Sequence, residues 1–394
     1  MSGSMKKPTK SQVADAELRV SIVEYFAKIP DPRVERTRHH PLVSILVLSL
    51  CAVICGADDF VAIEAFGKAK LWWLRTFLDF PRGVPSHDTI GRVLAALNPT
   101  ALGEAFREWV LAVSRLTHGE VVAIDGKTLR SAIREAGGTA FVHMVSAWAT
   151  HNHVVLGQVK TDEKSNEITA IPQLLKLLAI KGCVVTIDAM GCQKEIVRQI
   201  VKAEADYMIA VKDNQPTLRG DIENIFAKLR KDAPSGLTLN FHQTRETGHG
   251  RTEVRRCWTT NTAEAVTQWK DWPALRSLVM IESERTAGGK TSTEQRYYIS
   301  SVAKLPAATA LRDARAHWGI ENGLHWVLDV AFREDDCRVR VDNAAQNFAV
   351  MRHIAVNLLK AVQGTKVGIK NRRLRAGWDH DFMLRVLVSG ANVG

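Results

Sequence analysis

The chain lacks the features of a secreted, disulfide-bonded protein. Its 394 residues include only six cysteines, none form a C-x-x-C pair, and no cysteine–histidine spacing fits a zinc finger. The N-terminus, MSGSMKKPTKSQ, is polar and has no apolar stretch of the kind that a signal peptide needs. Free cysteines are typical of a reducing compartment. We therefore expect a cytoplasmic protein.

The sequence also lacks a hydrophobic run of the length expected for a membrane span. Its most apolar segment extends from Pro41 to Phe60, but the apolar part covers about 16 residues where a spanning helix needs about 20. Two serines interrupt this segment and two aspartates end it. We therefore predict a buried core helix and no membrane partner.

Acidic residues are too few to balance the basic ones. The chain has 53 Lys and Arg against 42 Asp and Glu, which gives a net charge of +11. The hydrophobic share of 46% and the length suit a globular protein of two or three domains. A basic excess favours polyanionic partners, because each phosphate that the protein neutralises releases counterions. Nucleic acid is the favoured partner, and a merely soluble basic protein is the alternative.

The order of predicted elements indicates an α/β fold. Apolar strands alternate with amphipathic helices in the middle of the chain, which predicts a mixed sheet flanked by helices. The first predicted domain is helical (14–115), and it either binds DNA or is associated with the part that does. It is followed by the first part of the core (119–230), a small β-rich insertion (237–302), the completion of the core with the helix that carries Glu321 (303–362), and a basic tail (363–394).

Three acidic residues, far apart in sequence, have contexts that predict a shared site. Asp125 and Asp188 each end an apolar strand, and Glu321 lies in the middle of a predicted helix. If the two strands are neighbours, both aspartates emerge at one edge of the sheet. Regular helical geometry places His317, Glu321 and His325 within about 40° of one line. Asp329 and the acidic cluster at 334–336 are weaker candidates for the third ligand.

Such a set of carboxylates predicts metal-dependent chemistry on phosphodiesters. Two divalent ions about 3.5–4 Å apart clamp the attacking and leaving oxygens of a phosphodiester. Mg²⁺ prefers oxygen ligands and keeps several waters, so two or three carboxylates and a substrate phosphate are sufficient. In a basic chain, this combination predicts an enzyme that cuts or joins nucleic acid.

Four stretches around these acids carry a family resemblance. The first two contain the strand-end aspartates, the third contains a further predicted strand and the residues after it, and the fourth contains Glu321. They are AIDGK at 123–127, TIDAMGCQ at 186–193, 205–215 and 317–330. Together with a shorter match at 29–33, they resemble the DDE transposases of bacterial insertion sequences, in the branch that includes the H-repeat-associated proteins.

The resemblance implies an RNase H-like core, interrupted by a β insertion, with a catalytic and metal-binding Asp-Asp-Glu set. By position these residues are Asp125, Asp188 and Glu321. It also implies Mg²⁺, with Mn²⁺ as a substitute, double-stranded DNA at element ends and at the target, and a homodimer that brings two ends together. Two alternatives are a catalytically impaired relative that binds DNA without cutting it, and a general RNase H-like nuclease.

The chain departs from the family pattern at several positions. Some relatives have a tyrosine, an arginine and a lysine around the glutamate, where this chain has Ala314, His317 and Leu328. His317 and His325 are therefore the candidates for contacting phosphate near Glu321. The third stretch often has a glycine where this chain has Asp213, which adds a negative charge.

Further residues are candidates for DNA binding. Lys127 follows Asp125 by two positions, so both side chains lie on the same side of the strand and Lys127 is predicted to contact a phosphate. The alternative is that Lys127 only balances the charge of the carboxylates. Arg251 and Arg255 share one face of a predicted strand, and a salt-bridged surface with nearby glutamates is the alternative. Trp318 and Trp326 are predicted to be core residues rather than base-stacking ones. The remaining candidates are Lys212 in the third stretch and Arg372 and Arg373 in the tail.

Overall fold

The computed structural model describes most of the chain. The described residues are 22–129, 142–161, 167–231, 239–248 and 250–389. The predicted beginning of the first domain at 14–21, the first two residues of the strand predicted from 237, and the end of the tail at 390–394 lie outside them.

The N-terminal part is helical, as predicted. Polar side chains start three of its helices by accepting hydrogen bonds from first-turn amides: Asp59, Ser86 and Asn98. The helices are α1 (Ile22–Ala27), α2 (Leu42–Cys55), α3 (Phe60–Leu74), α4 (His87–Ala96) and α5 (Pro99–Val113).

Helix α2 is the buried helix predicted from the apolar segment. It is apolar on all sides and buried along nearly its whole length, which is typical of a helix inside a protein core. Among the described residues no single helix has the length and apolarity to cross a membrane, although α2 and α3 together pass the same test as a pair bent by 97°.

Nine strands of the described residues form one mixed sheet. Its order is β3-β2-β1-β4-β5-β9-β8-β7-β6. The strands are β1 (Val121–Leu129), β2 (Val142–Ala149), β3 (Val154–Lys160), β4 (Val184–Ile187), β5 (Asp206–Val211), β6 (Leu239–Gly248), β7 (Arg251–Thr260), β8 (Ser277–Ala287) and β9 (Lys290–Ser300). The helices between them are α6 (Glu167–Leu177), α7 (Lys194–Lys202) and α8 (Pro216–Lys231).

The first five strands form the predicted core. Strand β1 is antiparallel to β2, which is antiparallel to β3, whereas β1, β4 and β5 run parallel to one another. Helix α7 connects the adjacent parallel strands β4 and β5, and α6 lies between β3 and β4, which pairs with β1. The expected α/β fold with an RNase H-like mixed sheet is confirmed.

The four strands of the insertion do not form a separate body. Strand β9 pairs with β5 in antiparallel register, with Ile299 opposite Ile209, and β8, β7 and β6 follow as a meander. The insertion therefore extends the core sheet. This pairing fixes the insertion beside the strand that follows Asp188 in the chain.

The C-terminal part joins the helical front to the sheet. Its helices are α9 (Ala307–His317), α10 (Trp326–Phe332), α11 (Ala344–Ala361), α12 (Ile369–Trp378) and α13 (His380–Val388). Helix α11 is buried along most of its length. Its Asn347 donates to the carbonyls of Leu94 and Leu97, and its Asn357 pairs with the backbone of Val155. The front helices and the core thus share one hydrophobic cluster.

The predicted DNA contacts in the tail are wrong for Arg373 and unsupported for Arg372. Arg373 is only 6% exposed, and its guanidinium donates to the carbonyls of Val53 and Ile54 at the end of α2. Arg372 donates to several backbone carbonyls, among them those of Leu359 and Thr365. Both arginines therefore anchor α12, since Arg373 satisfies carbonyls that the end of a helix leaves unpaired.

Candidate active site

The sheet brings Asp125 and Asp188 together as the sequence predicted. Ile124 and Ile187 lie opposite each other on the parallel strands β1 and β4, and an aspartate follows each of them. Strand β4 ends there, but β1 continues to Leu129 along its pairing with β2. The edge of β1 beyond Ile124 is therefore left open beside the two aspartates.

Backbone amides orient both aspartates. Asp125 Oδ1 accepts a hydrogen bond of 2.9 Å from the amide of Gly126. Asp188 caps a short 3-10 turn, because its Oδ1 accepts from the amides of Met190 at 3.0 Å and Gly191 at 3.3 Å. These amide bonds use only one oxygen of each carboxylate.

Glu321 lies on a π-helical turn rather than on a regular helix. Residues Glu321–His325 form this turn between α9 and α10, and the amide of Trp326 bonds to the Glu321 carbonyl five residues back. The turn packs over Trp148 of β2, and a Cβ at Gly323 would stand 3.0 Å from that indole. The prediction of a common line through His317, Glu321 and His325 assumed regular geometry and does not apply here. Single π-turns inside helices are frequent at functional sites.

The three predicted acids line one cavity. Its volume is about 220 Å³, and its lining includes Asp125, Asp188 and Glu321 together with Lys212 and His317. Within the described residues, no three or more His, Cys, Asp or Glu side chains are grouped closely enough to hold a metal ion as they stand. The acids therefore border a shared cavity rather than form a closed ligand shell.

The electrostatics of the cavity suit a cation. Burial raises the pKa of Asp125 to about 7, and the charges of Glu167, Asp188 and Glu321 raise it further against the bond from Gly126. Burial and the charge of Glu167 also raise the pKa of Asp188, whereas Lys212 lowers it. The charges that act on Asp125 are acidic, whereas Asp188 has both an acidic and a basic neighbour. A divalent ion with oxygen ligands fits such a donor set.

Glu167 is a further acid close to Asp125 in space, next to Gly126, that the sequence did not reveal. It lies in the first turn of α6, and its Oε1 is 2.8 Å from His143 Nε2. Gly126 lies directly beneath this pair, so that a Cβ at that position would overlap both side chains. An acid in the first turn of a helix is common for reasons of helix stability alone, and its sequence context carries no other signal.

The two candidate histidines are neutral at ordinary pH. Burial lowers the pKa of His317 to about 4 and that of His325 to about 3. His317 lies 3.1 Å from the hydroxyl of Thr186, and His325 Nδ1 lies 3.5 Å from Asp125 Oδ2. The contact with phosphate that the sequence predicts for them stays a prediction. They are placed to orient neighbouring groups by hydrogen bonding.

The prediction that Lys127 contacts phosphate is contradicted by its environment. Its side chain is 11% exposed, and its Nζ lies 2.7 Å from Asp329 and 3.2 Å from both Glu334 and Asp335. These are the acids that the sequence offered as alternative ligands. Lys127 therefore balances Asp329, Glu334 and Asp335 rather than the three acids of the cavity.

An arginine-lined cleft adjoins the acidic cavity. Its volume is about 560 Å³, and five arginines and three glutamates are among its lining residues. Arg251 and Arg255 lie on it as predicted for one face of β7, and both also pair with Glu253, which was the alternative. The arginines of the cleft are Arg251, Arg255, Arg285, Arg296 and Arg315.

The cleft and the cavity meet at Arg296 and Trp318, which line both. The Arg296 guanidinium lies over the Trp318 ring at 4.7 Å from its centre. The expectation of core tryptophans is wrong, since Trp318 is 43% exposed and Trp326 is 59% exposed. Two exposed aromatic rings therefore flank the turn that carries Glu321.

Asp213 does not leave an uncompensated charge. It is largely exposed and pairs with Arg219. Arg219 also pairs with Glu223 one turn further along α8, at 2.7 Å. The departure from glycine at this position is therefore accommodated locally.

Comparison with known proteins agrees with this site. Residues 117–358 match the family described as “Transposase DDE domain”, and residues 23–110 match the family described as “DDE_Tnp_1-associated”. The first match begins just before β1 and ends within α11, and so contains all three acids of the cavity.

Related proteins match nearly the whole chain. “Putative transposase YncI” of Escherichia coli O157:H7 is 40% identical over 95% of this chain and 96% of its own length. “H repeat-associated putative transposase YhhI” of Escherichia coli K12 is 39% identical over 93% of this chain and 97% of its own length.

The fold also resembles that of a piggyBac transposase, solved by cryo-EM as a synaptic complex with hairpin DNA. The match covers 96% of this chain and 84% of the piggyBac chain. Its TM-score of 0.42 and identity of 11% are too low to support an argument. The family matches and the near full-length relatives are sufficient by themselves, and the chain belongs to the DDE transposases, a family of divalent-metal-dependent enzymes that act on DNA.

Proposed function

We propose that this transposase cuts DNA at the ends of an insertion element and joins the freed ends to a target, with Asp125, Asp188 and Glu321 as its catalytic and metal-binding residues. One observation carries the proposal. Three acids from distant parts of the sequence line a single cavity beside an arginine-lined cleft. Carboxylates for metal ions and cations for phosphates are what phosphodiester chemistry needs.

Asp125, Asp188 and Glu321 would hold two Mg²⁺ ions, with Mn²⁺ as a substitute. The fit rests on their all-oxygen donor set and on the single cavity that all three acids line. When bound, the ions supply a lowered pKa for the attacking hydroxyl and charge stabilisation for the leaving oxygen.

The reaction needs two in-line displacements and no covalent protein intermediate. In the first, a water oxygen bonds to the phosphorus at the element end while the bond to the 3′-oxygen breaks, and that oxygen leaves as a 3′-hydroxyl. In the second, the 3′-hydroxyl loses its proton and attacks a phosphorus of the target, whose own 3′-oxygen leaves. The role of the protein is positioning and electrostatic stabilisation.

The residues around the cavity suit double-stranded DNA, both element ends and target. Lys212 lies in the cavity beside Asp188, and Arg251 and Arg255 extend the basic lining along the cleft. Two ends must be held together for insertion, so a homodimer with one site for each end is the expected assembly. Such a substrate places the enzyme in the bacterial cytoplasm.

Incubation of the protein with element-end DNA and Mg²⁺ or Mn²⁺ tests the proposal. Nicking at the element end, followed by joining to a second DNA, is the expected result. Binding without cleavage would point instead to a catalytically impaired relative. Digestion without regard to sequence would point to a general nuclease.

A further inference from the structure

We propose that Lys127 is a positioning residue, which sets the place of Glu321 relative to Asp125 by holding α10 against β1. Helix α10 continues the turn that carries Glu321, and β1 carries Asp125. The inference rests on the proposed function, because it explains how two acids of the same site are held together. Among the described residues, Lys127 is not part of the lining of the acid cavity, so it acts through α10 rather than on the substrate.

Lys127 joins β1 to three acids in and after α10. Its Nζ lies 2.7 Å from Asp329 Oδ1, and 3.2 Å from both Glu334 Oε2 and Asp335 Oδ1. Asp329 lies within α10, and the other two acids lie in the 3-10 turn that follows it. The side chain of Lys127 is 11% exposed and that of Glu334 is 2% exposed. Solvent and salt therefore weaken this contact much less than a surface ion pair.

The helix meets β1 at a second point, one turn before Asp329. His325 Nδ1 lies 3.5 Å from Asp125 Oδ2. His325 and Asp329 are four residues apart, a rise of about 6 Å along a helix. Asp125 and Lys127 are two residues apart on one side of a strand, which is about 7 Å. The two spacings match, so α10 lies along β1 with one contact at each helical turn.

Trp148 determines how closely the turn approaches the sheet. It lies on the same face as Asp125, since its pairing partner on β1 precedes Asp125 by two residues. The indole is fully buried, and a Cβ at Gly323 would stand 3.0 Å from it. The contact with Trp148 thus fixes the distance of the turn from the sheet, and the contact with Lys127 fixes its place along β1. Glu321 lies on the same turn and is fixed in both directions.

Loss of the Lys127 charge would release α10 from β1. Asp329, Glu334 and Asp335 would keep their negative charges without the cation that now lies between them and the strand, and buried like charges repel. Movement of this segment away from β1 carries Glu321 with it, because the turn and α10 are continuous. A displacement of about 1 Å is enough to slow catalysis about 100-fold.

Crystal structures and single-turnover cleavage of the Lys127→Met variant test this role. Methionine fills a similar volume and removes the charge. We expect the Glu321 carboxylate to move about 1 Å from its place beside Asp125, and the cleavage rate at saturating element-end DNA to fall about 100-fold. DNA affinity and its salt dependence should stay as in the natural protein, because Lys127 is bound to acids rather than to phosphate.

Asn347→Ala is the matched control for lost stability. Asn347 is also buried, but it donates to the carbonyls of Leu94 and Leu97 in the helical front. Both variants should unfold at lower denaturant concentration, whereas only Lys127→Met should cleave slowly as a folded protein. An equal fall in the cleavage rate of both variants would overturn the proposal. A shallower salt slope of DNA binding in Lys127→Met would also overturn it, since Lys127 would then contact a phosphate.

Asp329→Asn tests the same contact from the helix, and replaces Lys127→Met if that variant does not fold. Asparagine keeps the size of the side chain and removes the charge nearest to Lys127. The expected result is again a displaced Glu321 and slower cleavage with unchanged DNA affinity. An unmoved Glu321 with the cleavage rate of the natural protein would overturn the proposal.

Asp125→Asn, measured in parallel, separates this inference from the proposed function. Cleavage retained in Asp125→Asn would refute the proposed function itself. Loss of cleavage in Asp125→Asn, together with an unmoved Glu321 and the natural rate in Lys127→Met, would refute only the role of Lys127.

Discussion

Asp125 and Asp188 follow directly on Ile124 and Ile187, two residues that lie opposite each other on neighbouring parallel strands. This register places both carboxylates at the same level of the sheet, at the point where β4 ends. The helix turn that carries Glu321 then covers the same point and closes one side of a cavity about 220 Å³ in volume. The geometry of the site thus follows from one strand pairing and one helix turn.

We expect Asp125→Ala, Asp188→Ala and Glu321→Ala each to abolish cleavage of element-end DNA while largely preserving DNA binding. The reason is that each removes a metal ligand but none of the cleft arginines. Nicking and gel-shift assays on the same preparations measure the two effects. Glu264→Gln, at an exposed position outside the cavity, should change neither. Near-normal cleavage by any of the three alanine variants would disprove the role of that residue.

The arginine-lined cleft predicts a specific salt dependence. Replacement of Arg251, Arg255 or Arg315 by alanine should weaken DNA binding and reduce the slope of log affinity against log salt by about 1 for each phosphate that the protein no longer neutralises. Arg256→Ala is the control, because Arg256 lies on the same strand but pairs with Glu282 at 3.1 Å rather than facing the cleft. Equal slopes for Arg256→Ala and the cleft variants would show that the cleft does not hold the DNA backbone.

Arg373→Ala should reduce stability rather than DNA affinity. The substitution leaves the carbonyls of Val53 and Ile54 without their charged donor, which costs roughly 2–4 kcal/mol of unfolding free energy. Chemical denaturation measures this decrease. Lys370→Ala, at an exposed position in the same helix, should have little effect on stability. A shallower salt slope for Arg373→Ala at full stability would contradict the anchoring role.

The raised pKa of Asp125 predicts how pH and metal act together. Its folded pKa of about 7 lies above its ordinary value, so the metal-free native state holds a proton that the unfolded chain loses. Stability from this group is present below the ordinary pKa and is lost as pH rises to about 7. Metal binding needs the ionised form, so Mn²⁺ affinity should fall about tenfold for each pH unit below 7. In Asp125→Asn the metal-free protein should lose this part of its pH dependence, and unaltered pH dependence would refute the assignment.

The sequence predicted the strands of the core well because each contains a short apolar run. It placed Asp125 and Asp188 correctly, since parallel neighbours bring strand ends together. It did not predict that β9 pairs with β5, because pairing between distant strands leaves no local pattern. The insertion was therefore expected as a separate region, although its strands continue the core sheet.

The residues predicted less well depend on tertiary context. Arg372 and Arg373 look like a basic surface in sequence, yet both donate hydrogen bonds to backbone carbonyls of other segments. His317 and His325 were aligned by assuming 3.6 residues per turn, which the π-turn breaks. Glu167 was missed because its neighbours in space, Gly126 and His143, are distant from it in sequence.

The most direct test of the account is anomalous diffraction from crystals of the full chain grown with element-end DNA and Mn²⁺. We predict two metal peaks about 3.5–4 Å apart, contacted by carboxylate oxygens of Asp125, Asp188 and Glu321. A bound DNA end with any of these three carboxylates making no metal contact would contradict the account.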